Sequence, residues 1–302
     1  MNKFYKRTLQ QEQANKDDVH FSKLHKVATD LPTSVDLRSK ITSPVIDQGL
    51  LNSCTACALS VAAEIHFKNQ GIPFPKQTEL SNIASAMFIY YNARNAEGTV
   101  GVDAPTAIGD GVKSLAGKGV CSETLWPYPE THLPADFAHL VESGNLTAIN
   151  NDIQKALNDS HDVIEKAVSA KPSTQAVQQA AGYKIDRSAK LSIDNGLDEV
   201  KHCLAKGIPF VFGIDEPEKF YITPASGMMV MPPDDEPRIG GHALLAVGYD
   251  DDKEVFIVRN SYGKKFGDNG YCYRPYEFVT GSYTQNGKTT TNTFSFWCLL
   301  PD

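Results

Sequence analysis

Long apolar runs are missing from this 302-residue sequence. The longest, such as residues 209–214 and 243–247, fall far short of the roughly 20 residues needed to cross a bilayer, so no transmembrane helix is expected. Basic charge is also short. Against 36 Asp and Glu stand only 29 Lys and Arg, a formal net charge of −7. That balance argues against a nucleic-acid or anionic-membrane partner, which needs clustered cations. Cysteine is sparse, six in a chain of this length, too few for disulfides to be the main stabiliser. The first residues, MNKFYKRTLQQEQANK, are basic with no apolar stretch behind them, so they do not read as a secretory signal. No second CxxC and no HxxxH accompanies Cys54-Thr-Ala-Cys57, so neither a metal site nor a cofactor is expected. No internal repeat is visible.

With 41% hydrophobic and 22% charged residues the composition is globular. Residues 1–31 are polar and without sustained periodicity, and read as an extension to a domain over 32–302. Asn52-Ser53 offer capping side chains before CTACALSVAAEIHFK, where Ala58, Val61, Ala62 and Ile65 recur at helical spacing. Further helices are expected over 80–94 and 105–115. Residues 134–182, rich in Ala, Asn, Gln and Lys, read as an exposed helical insertion. After 186 the runs IPFVFGI, HALLAVGY, EVFIVRN, GYCYRPY and TFSFWCLL read as strands. Helices first and antiparallel strands afterwards predict an α+β fold of two lobes, helical over about 45–185 and β over about 186–302, with a cleft between them.

A thiol attacks a carbonyl as thiolate, so a nucleophilic cysteine needs local stabilisation of negative charge. Cys54 sits at a helix N-terminus, which supplies it. His242, in GGHALLAVGYD, is the candidate base. Asn260, closing EVFIVRN, can fix the imidazole by accepting from its other nitrogen. Gln48, six residues before Cys54, can donate to a developing oxyanion beside the Cys54 backbone N–H. Each residue alone has a plainer reading: a buried thiol, a core histidine, a turn asparagine. Cys54 and Cys57 also fit a redox CxxC, but no βαβ pattern precedes them. Cys121 and Cys203 read as buried thiols, and Cys272 and Cys298, both on expected strands, leave a pairing open.

Together, LPTSVDLR, SPVIDQG leading to SCTACA, GGHALLAVGYD and RNSYGKKFGDNGY resemble the papain family of cysteine peptidases from about Pro32 onwards. The resemblance implies the two-lobed papain-like fold and a Cys54-His242-Asn260 triad. It also implies an oxyanion hole from Gln48 and Cys54, and a peptide or protein substrate held near Gly241, Ala243 and Tyr262. It further implies a monomer made with an inhibitory pro-segment and exported from the producing cell. The sequence departs from the family at Leu51, where a disulfide cysteine is usual, and at Thr55, where an aromatic residue is usual. At Tyr262 it departs again, from a tryptophan that shields the His-Asn bond. Cys54 and His242 stand 188 positions apart, from 54 to 242, more than the roughly 130 to 150 usual in the family, and the 134–182 insertion accounts for the surplus. A cleft that binds peptides without cutting them, and an acyl transferase or deamidase with the same triad, are the rival readings.

Overall fold

The computed structural model describes residues 9, 11–12, 15–74, 83–129, 146–233 and 235–301. Residues 1–8, the Leu80 start of the second expected helix and residues 134–145 of the expected insertion lie outside them.

Seven strands form one antiparallel sheet in the order β2-β9-β3-β4-β5-β6, with β1 paired to β4. They are β1 (Ser34–Asp36), β2 (Ser188–Lys190), β3 (Phe210–Pro217), β4 (Arg238–Asp250), β5 (Val255–Arg259), β6 (Tyr271–Pro275) and β9 (Thr293–Leu299). β7 (Ser282–Gln285) and β8 (Lys288–Thr291) make a separate hairpin. β3 and β4 are central strands with both faces covered, so they read as continuous apolar runs and not as alternating ones.

Helices pack against this sheet. The first, α1 (Phe21–Leu24), belongs to the N-terminal segment, and α2 (Cys54–Asn69) is the central one. α2 is buried all the way from Cys54 to Phe67, as an apolar helix without a solvent face must be. It lies against β3 and β4 and is flanked by α3 (Ala86–Glu97) and α4 (Ile108–Lys118). Gly111 permits the α4 contact, because a Cβ there would stand 2.4 Å from Leu59 Cδ1. Next come α5 (Leu146–Asp159), α6 (His161–Ser169) and α7 (Thr174–Ala180), inside the expected insertion. α6 buries only Val168, whose carbonyl accepts from the buried Arg94 guanidinium of α3 at 3.0 Å. α8 (Asp198–Ala205) leads into β3, and α9 (Tyr276–Thr280) follows β6.

Several local readings differ from the structure. The helices expected over 80–94 and 105–115 run later, over Ala86–Glu97 and Ile108–Lys118. Neither Asn52 nor Ser53 caps α2: the Asn52 side chain donates to Asp103, and the Ser53 hydroxyl bonds to Tyr128. Cys272 and Cys298 are not joined, since β3, β4 and β5 separate their strands, and both are buried thiols. The described part of the N-terminal segment packs on the domain. Phe21 is fully buried against His25 and His202, and Lys190 N–H donates to the Val19 carbonyl at 2.8 Å.

Candidate active site

His242 lies within β4 and is fully buried. Its Nε2 stands 2.8 Å from Asn260 Oδ1. That oxygen also accepts the Ser261 backbone N–H at 2.8 Å, which fixes the amide orientation and makes Nε2 the protonated nitrogen. Asn260 follows directly on β5, and its own N–H donates to Gly270, so the residue that holds the ring is itself held by backbone. Tyr262 covers the pair: its ring stacks on the imidazole at 4.8 Å with 24° between planes. Such cover excludes water from the His-Asn bond and strengthens it.

Cys54 is the first residue of α2 and only 3% exposed. The helix start faces the histidine strand. Cys57, Ala58, Ala243, Asn260 and Ser261 line one small cavity, so the first turn of α2 and the residues flanking His242 share a wall. The thiol of Cys57 is pushed up to about 12 by burial, which suits a core thiol and not a redox partner.

Gln48 is tied to both sides of this arrangement. Its Nε2 donates to the Leu51 carbonyl at 2.8 Å, and its Oε1 accepts the Ser261 hydroxyl. Its backbone N–H donates to the Ser261 carbonyl at 2.8 Å. The Gln48 turn is thereby locked to the residue after Asn260, and the second N–H of its amide is the one available to a ligand. Tyr128 buttresses the same turn, donating to the Gln48 carbonyl at 3.1 Å and bonding the Ser53 hydroxyl.

Two departures in sequence are met by polar contacts. Asn52, beside Leu51, gives its backbone N–H and its amide to the half-buried Asp103 carboxylate, each at 3.0 Å. Tyr90 donates to the same carboxylate at 2.7 Å. Thr55 donates to the Thr106 carbonyl at 2.8 Å. Together these tie the turn before α2 and its first turn to the 103–106 loop.

Gly241 is crowded by the N-terminal segment. A Cβ on it would lie 1.8 Å from the Leu9 carbonyl oxygen, and Leu9 is 5% exposed. Residue 9 therefore runs directly over the residue preceding His242.

The sequence profile described as papain family cysteine protease matches residues 31–277. This chain belongs to the papain family. Within it, an uncharacterised peptidase C1-like protein of Acanthamoeba polyphaga mimivirus is 32% identical over 253 residues, 81% of this chain and 69% of that one. A cathepsin L-like peptidase of Aedes aegypti is 25% identical over 80% of this chain and 58% of its own length. Among solved structures, xylellain, a cysteine protease from Xylella fastidiosa, superposes with a TM-score of 0.76 at 30% identity, covering 100% of this chain and 98% of that one. A digestive procathepsin L of Tenebrio molitor reaches 0.61 at 15% identity, over 97% of this chain and 76% of that one, a likeness of fold. The α+β architecture is thus the papain-like one, and the protein is a cysteine peptidase by family.

Sequence reasoning missed Tyr128, Ser261, Phe220 and Glu216. Tyr128 lay in the WPYP run, which signals only a break in helix. Glu216 closes a strand and carries no motif.

Proposed function

We propose that this papain-family protein is an endopeptidase in which Cys54 is the nucleophile, His242 the base, Asn260 the residue that orients it and Gln48 an oxyanion donor. The observation that carries the reading is the 2.8 Å bond between His242 Nε2 and Asn260 Oδ1, buried beneath Tyr262. With Nε2 engaged, Nδ1 is the nitrogen that exchanges a proton with the thiol. The α2 N-terminus and the imidazolium both favour the thiolate. The thiolate attacks the peptide carbonyl carbon, and the oxyanion is met by the Cys54 backbone N–H and the second amide N–H of Gln48. As the C–N bond breaks, His242 passes its proton to the leaving amine. It then takes a proton from water, whose oxygen attacks the thioester and releases the carboxylic acid and the thiolate. Gly241, Ala243 and Tyr262 border the cleft in which the substrate backbone lies.

Residues 1–31 act as an inhibitory segment on the domain 32–302, with residue 9 above Gly241 where substrate must pass. Action on protein outside the producing cell, as a monomer, accords with such a covered cleft.

The test is to incubate an unfolded protein substrate with the wild-type chain and with Cys54→Ala, then read product masses. New peptide termini that vanish in the variant support the proposal. An uncut substrate with altered side-chain masses would make the enzyme an acyl transferase or deamidase, and one left unaltered also by Glu12→Gln, in which the N-terminal segment is loosened, would leave a binding cleft.

A further inference from the structure

Tyr262 differs from the tryptophan usual in the family by bearing a hydroxyl, and that hydroxyl donates to Glu216 Oε1 at 2.6 Å. Glu216, near the end of β3, is fully buried. A carboxylate is removed from water at considerable cost unless it is paired and hydrogen-bonded. The phenol hydrogen-bonds it, and it interacts coulombically with the Arg274 cation, which lies on β6 with its guanidinium 4.7 Å from the Phe220 ring and 4.2 Å from the Phe278 ring. Phe220, from the 3₁₀ turn Glu218–Ile222, in turn stands edge-on to Tyr262 at 6.0 Å and tilted to His242 at 6.1 Å.

We infer that Glu216 is a positioning residue for His242, acting through Tyr262. This rests on the reading of His242 as the base. Two effects follow from the geometry. The hydrogen bond at the far end of the phenol fixes the ring that lies on the imidazole, so the imidazole is held on one edge by Asn260 and on one face by Tyr262. The carboxylate also places negative charge behind the ring. A phenol that donates to an anion has a more electron-rich face, and such a face stabilises a cation stacked on it. Glu216 therefore favours the imidazolium form of His242, the form that accompanies the thiolate.

The other titratable or charged groups around this trio do not offer the same service. Arg238, at the start of β4, is turned to Asn292 and the Glu236 carbonyl. Asp215 accepts from Tyr283. Asp47 accepts the Gly49 N–H. Glu218 and Lys219 belong to the 3₁₀ turn, and Cys54 opens α2.

The experiment compares full-chain wild type with Glu216→Gln, Tyr262→Phe and the double variant, measuring kcat, KM and the pH dependence of kcat/KM. Glutamine can still accept the phenol proton but carries no charge. Glu216→Gln is expected to move the alkaline limb of the profile to lower pH, because the imidazolium loses support, while KM stays near its wild-type value. Tyr262→Phe is expected to lower kcat about tenfold, the scale of one hydrogen bond to a charged group. In its background Glu216→Gln should have no further effect. An unmoved alkaline limb in Glu216→Gln with folding intact would overturn the inference. So would additive losses in the double variant. If Glu216→Gln fails to fold, Tyr262→Phe and Tyr262→Trp decide the question, since both keep an aromatic cover and cut the bond to Glu216; wild-type profiles in both would be contrary. His242→Ala is run beside them: full activity there defeats the assignment of the base itself, whereas its loss with silent Glu216 and Tyr262 variants defeats only this inference.

Discussion

Glu123 shows how one side chain can link the stability of the oxyanion turn to pH. Burial pushes its carboxyl up from the ordinary 4.5 to about 7, opposed by the Tyr128 N–H it accepts. The folded state thus holds this proton more tightly than the unfolded chain. Its contribution to stability is complete below about pH 4.5 and is lost as pH rises through about 7. Glu123→Gln should therefore remove a decline of roughly 1–3 kcal/mol across that window. Thermal unfolding of both proteins between acid and neutral pH measures it. Curves that fall in parallel would show that Glu123 is not the group responsible. The residue was not legible in the sequence as a pH-linked group, because a glutamate in a polar stretch gives no hint that a tyrosine will close over it. Gln48, Cys54, His242 and Asn260 were legible as candidates for the opposite reason. Thiol chemistry restricts which residue types can serve, and their local contexts, a helix start, a strand after paired glycines and a strand end, are each marked by neighbours. Glu216 and Tyr128 act through contacts that only the fold creates.

At the scale of elements, strands of five or more residues and the buried helix α2 stood out by their apolar content. β1 and β2, three residues each, did not, since so short a stretch has no period to read. The starts of α3 and α4 fall several residues later than expected, at Ala86 and Ile108, the first of them marked by the Ser85 hydroxyl that accepts the Phe88 N–H. The N-terminal segment was expected as a pro-segment by resemblance, but its contacts were not legible. It is clasped by Glu12, whose carboxylate accepts the Gly109 N–H at 2.6 Å and the Trp297 indole N–H at 3.1 Å, with the Lys190 ammonium 3.5 Å away. Lys190 also pairs with Asp18 at 2.5 Å. Glutamine would satisfy one N–H with its carbonyl oxygen and present its own amide N–H, a donor, to the other. Glu12→Gln should loosen the segment by about tenfold in opening equilibrium, by the loss of a charged hydrogen bond. Faster backbone hydrogen exchange over 15–21 with increased peptide turnover is the expected result. Unchanged exchange would show that Glu12 is not the clasp, and faster exchange without a gain in turnover would separate the segment from inhibition.

For the molecule as a whole, helices before strands were enough to indicate an α+β protein, and four ordered sequence blocks were enough to indicate the family. What they did not carry is how the helical and β parts meet. That junction depends on Ser261 joining the Gln48 turn to the end of the Asn260 strand, and residue 9 crosses it at Gly241. Neither contact is a pattern along the chain. The central claim is that this junction activates one thiol among six. It is tested most directly by intact mass after exposure to a small epoxysuccinyl inhibitor near neutral pH. Wild type, Cys54→Ala and His242→Ala should be compared, each also in the Glu12→Gln background so that a covered cleft is not mistaken for an inert thiol. One adduct per chain, absent in Cys54→Ala and strongly slowed in His242→Ala, is the predicted result; equal labelling of several cysteines, or none in either background, would contradict it.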